Sequence, residues 1–207
     1  MLLAASCSTS DDLDDEDGDV WINQPTNEIW YTCNKQQIIY ETPSGFGANI
    51  ISGKEENGKR IMIFDSDVIS IGNNAFCGWY TMTRISIPSN VTTIGNSAFS
   101  QCFSLKMVTI PNSVTSIKEY AFSYCRSLTS ITIPNSITSI GYQAFSFCTS
   151  LTSVYCKAMA APKLGHYIFD WCPLVKIYVP IESVDAYKSA DGWKEYADMI
   201  EGYNFDE

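Results

Sequence analysis

The side chains with the greatest potential for chemistry lie between residues 156 and 172. Cys156, His166 and Cys172 are residue types that bind zinc, and His166 with Asp170 has the composition of a base and its orienting carboxylate. Neither set has the spacing of a recognised metal or catalytic motif, and His166 is the only histidine among 207 residues. We therefore predict a protein that is not an enzyme and uses no metal or cofactor. An enzyme with a site around these residues is the remaining alternative.

The net formal charge of −10 is distributed unevenly along the chain. Residues 11–19 contain seven acidic side chains and no basic one, and residues 174–207 carry a net charge of −5. Residues 82–173 carry a net charge of +4, and their six basic residues are scattered. Because nucleic-acid binding requires clustered Lys and Arg, it is excluded. Because like charges repel one another, residues 8–19 are predicted to be a disordered acidic tether.

A 23-residue repeat explains most of the chain. The units are residues 59–81, 82–104, 105–127, 128–150 and 151–173, the last with an insertion around residues 158–163. Apolar residues recur at positions 1, 4, 6, 10, 13, 17, 18 and 21 of a unit. Positions 4 and 6 alternate with Ser or Thr at positions 3 and 5, which is typical of a half-buried strand, and the proline at position 7 ends it.

One unit cannot bury its own apolar residues, but stacked units bury them as inward-facing ladders. The phenylalanines at position 18 are therefore predicted to form core: Phe76, Phe99, Phe122, Phe145 and Phe169. Ala-Phe at positions 17–18 and Cys at position 21 are predicted to form a helical turn. The glycines at position 14 (Gly72, Gly95 and Gly141) are predicted to supply a bend with positive φ.

The recurring pattern L-x-x-I-x-I-P-x-S-V-T-S-I-G-x-x-A-F-x-x-C-x-S resembles the BspA-like leucine-rich repeats of Bacteroidetes surface lipoproteins. The resemblance covers roughly residues 59–200, and residues 27–32 and 46–50 are similar to the lead-in of such proteins. It implies a curved solenoid with a parallel β-sheet on one face and short strands, turns and helical turns on the other. It also implies a secreted or cell-surface protein that binds macromolecules, often in adhesion.

Both ends of a solenoid expose apolar residues and need covering. Residues 20–58 are predicted to form a β-rich N-terminal cap, and residues 59–173 to hold about five repeats. Residues 174–207 are predicted to form a final strand and a short helical C-terminal cap, with Ser183 as the N-cap of its first helix.

Residues 1–7, which read Met-Leu-Leu-Ala-Ala-Ser-Cys, resemble the end of a bacterial lipoprotein signal. This resemblance implies lipid attachment at Cys7, with the precursor starting further upstream. The following acidic run resembles the signal that exports such lipoproteins to the outer cell surface. We expect an outward-facing outer-membrane lipoprotein, with a periplasmic orientation as the alternative and the lipid as the only contact with a membrane.

Eight cysteines raise the question of disulfides. Cys102, Cys125, Cys148 and Cys172 share position 21, and a stack of small buried thiols is predicted there. Cys33 and Cys77 are a possible disulfide near the first cap, which spacing alone does not establish.

Two surfaces are candidates for binding. Positions 3 and 5 form a strand face: Arg84, Ser86, Met107, Thr109, Ser130, Thr132, Ser153 and Tyr155. Position 20 forms an aromatic stripe of Tyr124, Phe147 and Trp171, near Tyr80 and Phe103 at position 22. Each surface also has a purely structural interpretation, as a solvated sheet surface or as rings packed between turns. A protein, of host matrix or of a bacterial surface, is the predicted partner, and a glycan is the alternative.

Overall fold

The computed structural model describes residues 24–34, 44–173 and 175–205, so Cys7 and the acidic tether lie outside the described residues. The strands are β1 (Glu28–Cys33), β2 (Ile50–Glu56), β3 (Lys59–Phe64), β4 (Ser70–Ile71), β5 (Met82–Ser86), β6 (Thr93–Ile94), β7 (Met107–Thr109), β8 (Ser116–Ile117), β9 (Ser130–Ile133), β10 (Ser139–Ile140), β11 (Ser153–Cys156), β12 (Lys163–Leu164), β13 (Lys176–Pro180) and β14 (Ile200–Tyr203). One α-helix, α1 (Val184–Ser189), lies between two 3₁₀ helices, Ile181–Ser183 and Trp193–Met199.

Each repeat forms one coil of a solenoid, which confirms the predicted fold. The strands at positions 3–6 are parallel in the pairs β5–β7, β9–β11 and β11–β13, and the strands at positions 12–13 form a second parallel sheet in the order β12-β10-β8-β6-β4. Equivalent residues pair across coils, as in Val154 opposite Ile131 and Ile94 opposite Ile71. Because the register advances by one whole repeat, apolar residues stack on apolar residues.

The phenylalanine ladder runs through the core, as predicted. Phe76, Phe99, Phe122 and Phe145 are completely buried. Neighbouring rings stack almost in parallel, with centroids 5.0 Å apart for Phe99 and Phe122 and 5.4 Å apart for Phe122 and Phe145. Burial of each ring contributes about 1.5–3 kcal/mol, so the ladder is a main source of the solenoid's stability.

The third side of each coil consists of single turns instead of the expected helical turn. Residues at positions 16 and 20 have positive φ, as in Ser97 (53°) and Gln101 (62°). Left-handed residues at this spacing direct alternate N–H groups toward the next coil. Phe99 N–H donates to the Ala121 carbonyl at 2.7 Å, and Phe122 N–H to the Ala144 carbonyl at 2.8 Å. A third hydrogen-bonded ladder therefore joins the coils.

The prediction of positive φ at the position-14 glycines is wrong, because Gly72, Gly95 and Gly141 are not among the residues with positive φ. These glycines serve close packing instead. A Cβ on Gly141 would lie 2.5 Å from the Glu119 nitrogen, and one on Gly95 would lie 2.7 Å from the Asn73 nitrogen. The main chains of successive coils approach so closely at these three glycines that an added Cβ would force a shift, whereas the third coil accommodates Lys118 at the same position.

At the N-terminal end, β1 lies between β3 and β5 and pairs antiparallel with both. At the C-terminal end, Tyr187, Trp193 and Ile200 are buried against the last coils. Ser183 precedes α1, but its hydroxyl makes no capping bond and instead donates to the Met159 carbonyl at 2.9 Å. The parallel strand β14 is an addition to the two helices expected in this segment. No helix within the described part of the chain is long and apolar enough to cross a bilayer.

Candidate functional site

Cys156, His166 and Cys172 lie in three separate surroundings. Cys156 is buried beneath the C-terminal helices, with its sulfur 3.2 Å from the Tyr187 hydroxyl. The Cys172 thiol donates to the Phe145 carbonyl at 3.2 Å, and His166 is exposed on a turn. Within residues 24–34, 44–173 and 175–205, no three His, Cys, Asp or Glu side chains are placed to hold a metal ion. In the described part of the chain, Cys156, His166 and Cys172 therefore do not form a three-ligand site.

The ladder cysteines are free thiols with a structural role. Cys102, Cys125 and Cys148 are buried, and each thiol donates to the phenylalanine carbonyl of the preceding coil, as Cys125 does to Phe99 at 3.3 Å. Burial raises the pKa of Cys125, so the thiol stays neutral. The suggested disulfide between Cys33 and Cys77 is wrong, because Cys77 is a free thiol.

The strand face is only partly open to solvent. Met107 is 50% exposed. Thr109, Ser130 and Thr132 are exposed too, while Arg84, Ser153 and Tyr155 are half-buried. Ser86 is 3% exposed, which contradicts its assignment to a binding face. The reason is the N-terminal strand β1, which places Trp30 directly opposite Ser86 on the sheet.

The C-terminal end of the strand face is aromatic, a feature the sequence reasoning missed. Tyr155 stacks on Tyr178 with centroids 4.9 Å apart, and Tyr203 meets both rings edge-on. An open groove of about 390 Å³ lies beside them, lined by Lys157, Tyr203 and Phe205 among others. Tyr178 follows Tyr155 at the same repeat position, which is a signal that the sequence contains.

The aromatic stripe forms two stacks of rings on the surface. Tyr124 and Phe147 stack with centroids 4.4 Å apart and planes 2° apart, and Trp171 continues the stack at 5.6 Å from Phe147. Tyr80 and Phe103 form a second stack at 5.0 Å. Tyr124, Phe147 and Phe103 are half-buried, Tyr80 is exposed, and Trp171 is 72% exposed.

Arg126 joins the two stacks. Its guanidinium carbon lies 4.8 Å from the centre of the Phe103 ring and 5.8 Å from that of Tyr124. We use "aromatic row" for the set Tyr80, Phe103, Arg126, Tyr124, Phe147 and Trp171. The row crosses five coils, or about 19 Å at the usual strand spacing. The sequence reasoning also missed Arg126, although it occupies position 22 in the repeat that follows those of Tyr80 and Phe103.

The backbone beneath the aromatic row is unfavourable for large residues. Tyr124, Phe147 and Trp171 all have left-handed φ values, of 62°, 59° and 60°. This conformation costs a non-glycine residue about 1–2 kcal/mol, and the first coil has Gly78 at the same position. Three successive coils therefore carry aromatic residues where glycine or asparagine would be more stable.

Comparison with solved structures supports the fold. The leucine-rich-repeat protein of T. pallidum is 31% identical over 56% of this chain and 55% of its own, with a TM-score of 0.53. This chain thus matches only about half of that protein. A leucine-rich cell surface protein from Faecalibacterium prausnitzii is 38% identical over 44% of this chain and 24% of its own, with a TM-score of 0.42. A leucine-rich-repeat protein from Bacteroides ovatus is 28% identical over 77% and 48%, also at 0.42.

Comparison with curated proteins gives no significant match. The family model of the BspA type leucine rich repeat region matches six copies across residues 61–190. These residues make up more than half of the chain, and their 23-residue coils have the geometry described above. The protein therefore belongs to the family with BspA-type leucine-rich repeats.

Proposed function

We propose that this protein is a non-enzymatic cell-surface binding protein that contacts a protein partner through the aromatic row, in protein–protein interaction or adhesion. Leucine-rich-repeat proteins generally bind proteins and are typically non-enzymatic. The observation that carries the proposal is the continuous row of five rings and one arginine on the surface.

The composition of the aromatic row is that of a binding hot spot. Trp, Tyr and Arg are the residues that dominate the free energy of protein interfaces, whereas scattered surface hydrophobics are ordinary. Mutual stacking restricts the rings before a partner arrives, so less side-chain entropy is lost on binding. The left-handed backbone at Tyr124, Phe147 and Trp171 supports a functional role, because stability alone favours smaller residues there.

The stacking geometry favours a protein over a glycan. Sugars bind aromatic residues through an open ring face. In the aromatic row, Phe147 has Tyr124 on one face and Trp171 on the other, so it offers its edge to a partner. Ring edges suit aliphatic and aromatic side chains of a protein. Trp171 is the exception, since at 72% exposure it supports glycan capture as a second candidate function.

The binding test uses the full chain against immobilised matrix proteins, bacterial surface proteins and a glycan array. Trp171→Ala and Phe147→Ala are expected to weaken binding to a protein at least about tenfold each, as hot-spot substitutions do. Tyr203→Ala, which removes an exposed ring from the strand face, is the matched control and should bind normally. Met107→Ala tests the strand face itself.

Three outcomes contradict the proposal. If Met107→Ala abolishes binding and Trp171→Ala leaves it intact, the strand face is the binding surface. Binding to glycans alone, lost with Trp171→Ala, establishes the second candidate. Absence of binding to every class removes the adhesion role.

We propose that the protein is an outer-membrane lipoprotein facing outward, anchored by a lipid on Cys7 and spaced from the membrane by residues 8–19. The Ala-Ala-Ser-Cys sequence and seven acidic residues in the following run support this arrangement. In the source bacterium, an alkyne fatty acid should label the protein, Cys7→Ser should abolish labelling, and protease added to intact cells should remove the protein. Protection from protease with retained labelling would indicate the periplasmic alternative.

A further inference from the structure

We infer that the partner of the aromatic row presents a carboxylate to Arg126, so that the row recognises an acidic segment of a protein. This inference rests on the proposed function and adds the chemistry of the partner. It depends on the position, environment and charge of one side chain.

Arg126 is an exposed cation held in place by rings. Its guanidinium lies over Phe103 at 4.8 Å and near Tyr124 at 5.8 Å. Across the described residues, no carboxylate forms an ion pair with it. The cation–π contacts restrict the guanidinium without using the in-plane N–H groups that bind a carboxylate in a two-pronged geometry. Arg126 is thus positioned for an acidic group that the described residues do not provide.

The surrounding repeats do not neutralise this charge. Residues 82–173 contain six basic residues and only two acids, Glu119 and Asp170. The excess negative charge of the chain belongs to residues 11–19 and 174–207. A carboxylate that approaches the middle coils is therefore attracted, although the whole protein is acidic.

The neighbours of Arg126 indicate the remainder of the partner. Phe103 and Tyr124 lie 4.8 Å and 5.8 Å from the guanidinium carbon, so a carboxylate bound to Arg126 has two aromatic rings close by. A segment with Asp or Glu between apolar residues complements this order of contacts. Phe103 stacks on Tyr80 and Tyr124 stacks on Phe147, so each ring beside the arginine already has one face covered, which disfavours an acidic polysaccharide.

The experiment uses an array of peptides of about ten residues, long enough when extended to span the row. Each apolar sequence is synthesised in two forms, one with Asp or Glu and one with Asn or Gln at the same places. The full chain should bind acidic forms at least about tenfold tighter than their amide forms. Arg126→Gln should remove this difference, and Arg126→Lys should restore part of it, because Lys keeps the charge but loses the planar fork.

Lys118→Gln is the matched control, since it removes the same charge from an exposed residue of the same repeat. It should leave the preference for acidic peptides intact. Circular dichroism and the thermal unfolding midpoint establish that each variant is folded.

The results for the Trp171 and Arg126 variants distinguish a failure of this inference from a failure of the proposed function. If Trp171→Ala weakens peptide binding but Arg126→Gln affects acidic and amide forms equally, the row binds proteins and the carboxylate inference is wrong. If Lys118→Gln removes the preference for acidic peptides as Arg126→Gln does, the net positive charge of the repeats explains the preference, and the inference is again wrong. If peptides bind and no substitution in the aromatic row changes their affinity, the proposed function is wrong as well. Binding to acidic polysaccharides instead of peptides overturns the assigned partner class.

Discussion

Tyr124 and Phe147 stack with ring planes 2° apart and centroids 4.4 Å apart, although 23 residues separate them in the sequence. Both residues have the left-handed backbone conformation. The exact repeat therefore does two things at once. It brings equivalent side chains together across coils, and it presents them on the surface from a backbone that disfavours large residues. Stability alone favours a smaller residue at this position, so an experiment can separate its effect on stability from the binding role proposed above.

Phenylalanines at two positions of the repeat should respond differently to truncation. Phe122→Ala leaves a cavity in the completely buried ladder and should lower the free energy of unfolding by about 3–5 kcal/mol. Phe147→Ala, from the next coil, removes a half-buried ring and its two stacking contacts and should cost about 1–2 kcal/mol. Urea denaturation followed by circular dichroism measures both values. Equal losses would show that the stripe is part of the core.

Gly141 should tolerate a side chain poorly, although the preceding coil has Lys118 at the same position 14. The added methyl group of Gly141→Ala would meet Glu119 N at 2.5 Å and Lys118 C at 2.6 Å, so overpacking should cost about 1–3 kcal/mol. Gly53→Ala is the control, because its nearest contact is Ile61 O at 3.4 Å and its φ is not positive. It should be neutral or slightly stabilising. A thermal midpoint of Gly141→Ala equal to wild type would contradict the close approach of the coils.

Relief of left-handed strain should be measurable at Trp171. Trp171→Gly should be more stable than Trp171→Ala by about 1 kcal/mol, because glycine avoids the steric cost at positive φ that alanine retains. At Thr109, an exposed strand residue without positive φ, the order should reverse. The free energy of unfolding of the four variants decides the matter. If alanine is preferred at both sites, the backbone at Trp171 carries no strain.

The buried thiols predict a loss of stability in alkali. Burial raises the pKa of Cys102 and Cys125 above the usual value near 9, so the folded state keeps these protons after the unfolded chain releases them. Their contribution is therefore fully present below about pH 9 and falls above it, by up to about 1.4 kcal/mol per pH unit for each thiol. Urea midpoints between about pH 7 and pH 10 should show the decline.

Cys102→Ala with Cys125→Ala should flatten this decline, whereas Cys77→Ala, at an exposed site, should change it less. Parallel pH profiles for the double variant and wild type would show that other groups cause the alkaline loss. Tyr187 is one such group, since burial raises the pKa of its hydroxyl.

The sequence alone determined the solenoid, its parallel strands and its phenylalanine core, because each is a periodic property. A residue type that recurs every 23 places must recur in space when the units stack. The same reasoning predicted free ladder cysteines. It gave the wrong reason for Gly141, since a glycine required for close packing and one required for positive φ look identical in a sequence.

Only the tertiary structure shows the contacts that do not follow the 23-residue repeat. Ser86 is buried because the N-terminal strand places Trp30 opposite it, which the repeat does not contain. Arg126 lies beside Phe103, which holds the same position 22 in the preceding coil, but it joins the two ring stacks because the turn of its own coil also brings Tyr124 near the guanidinium. Periodicity specifies the neighbours along one ladder, whereas contacts between ladders depend on the turn geometry that only the folded coils possess.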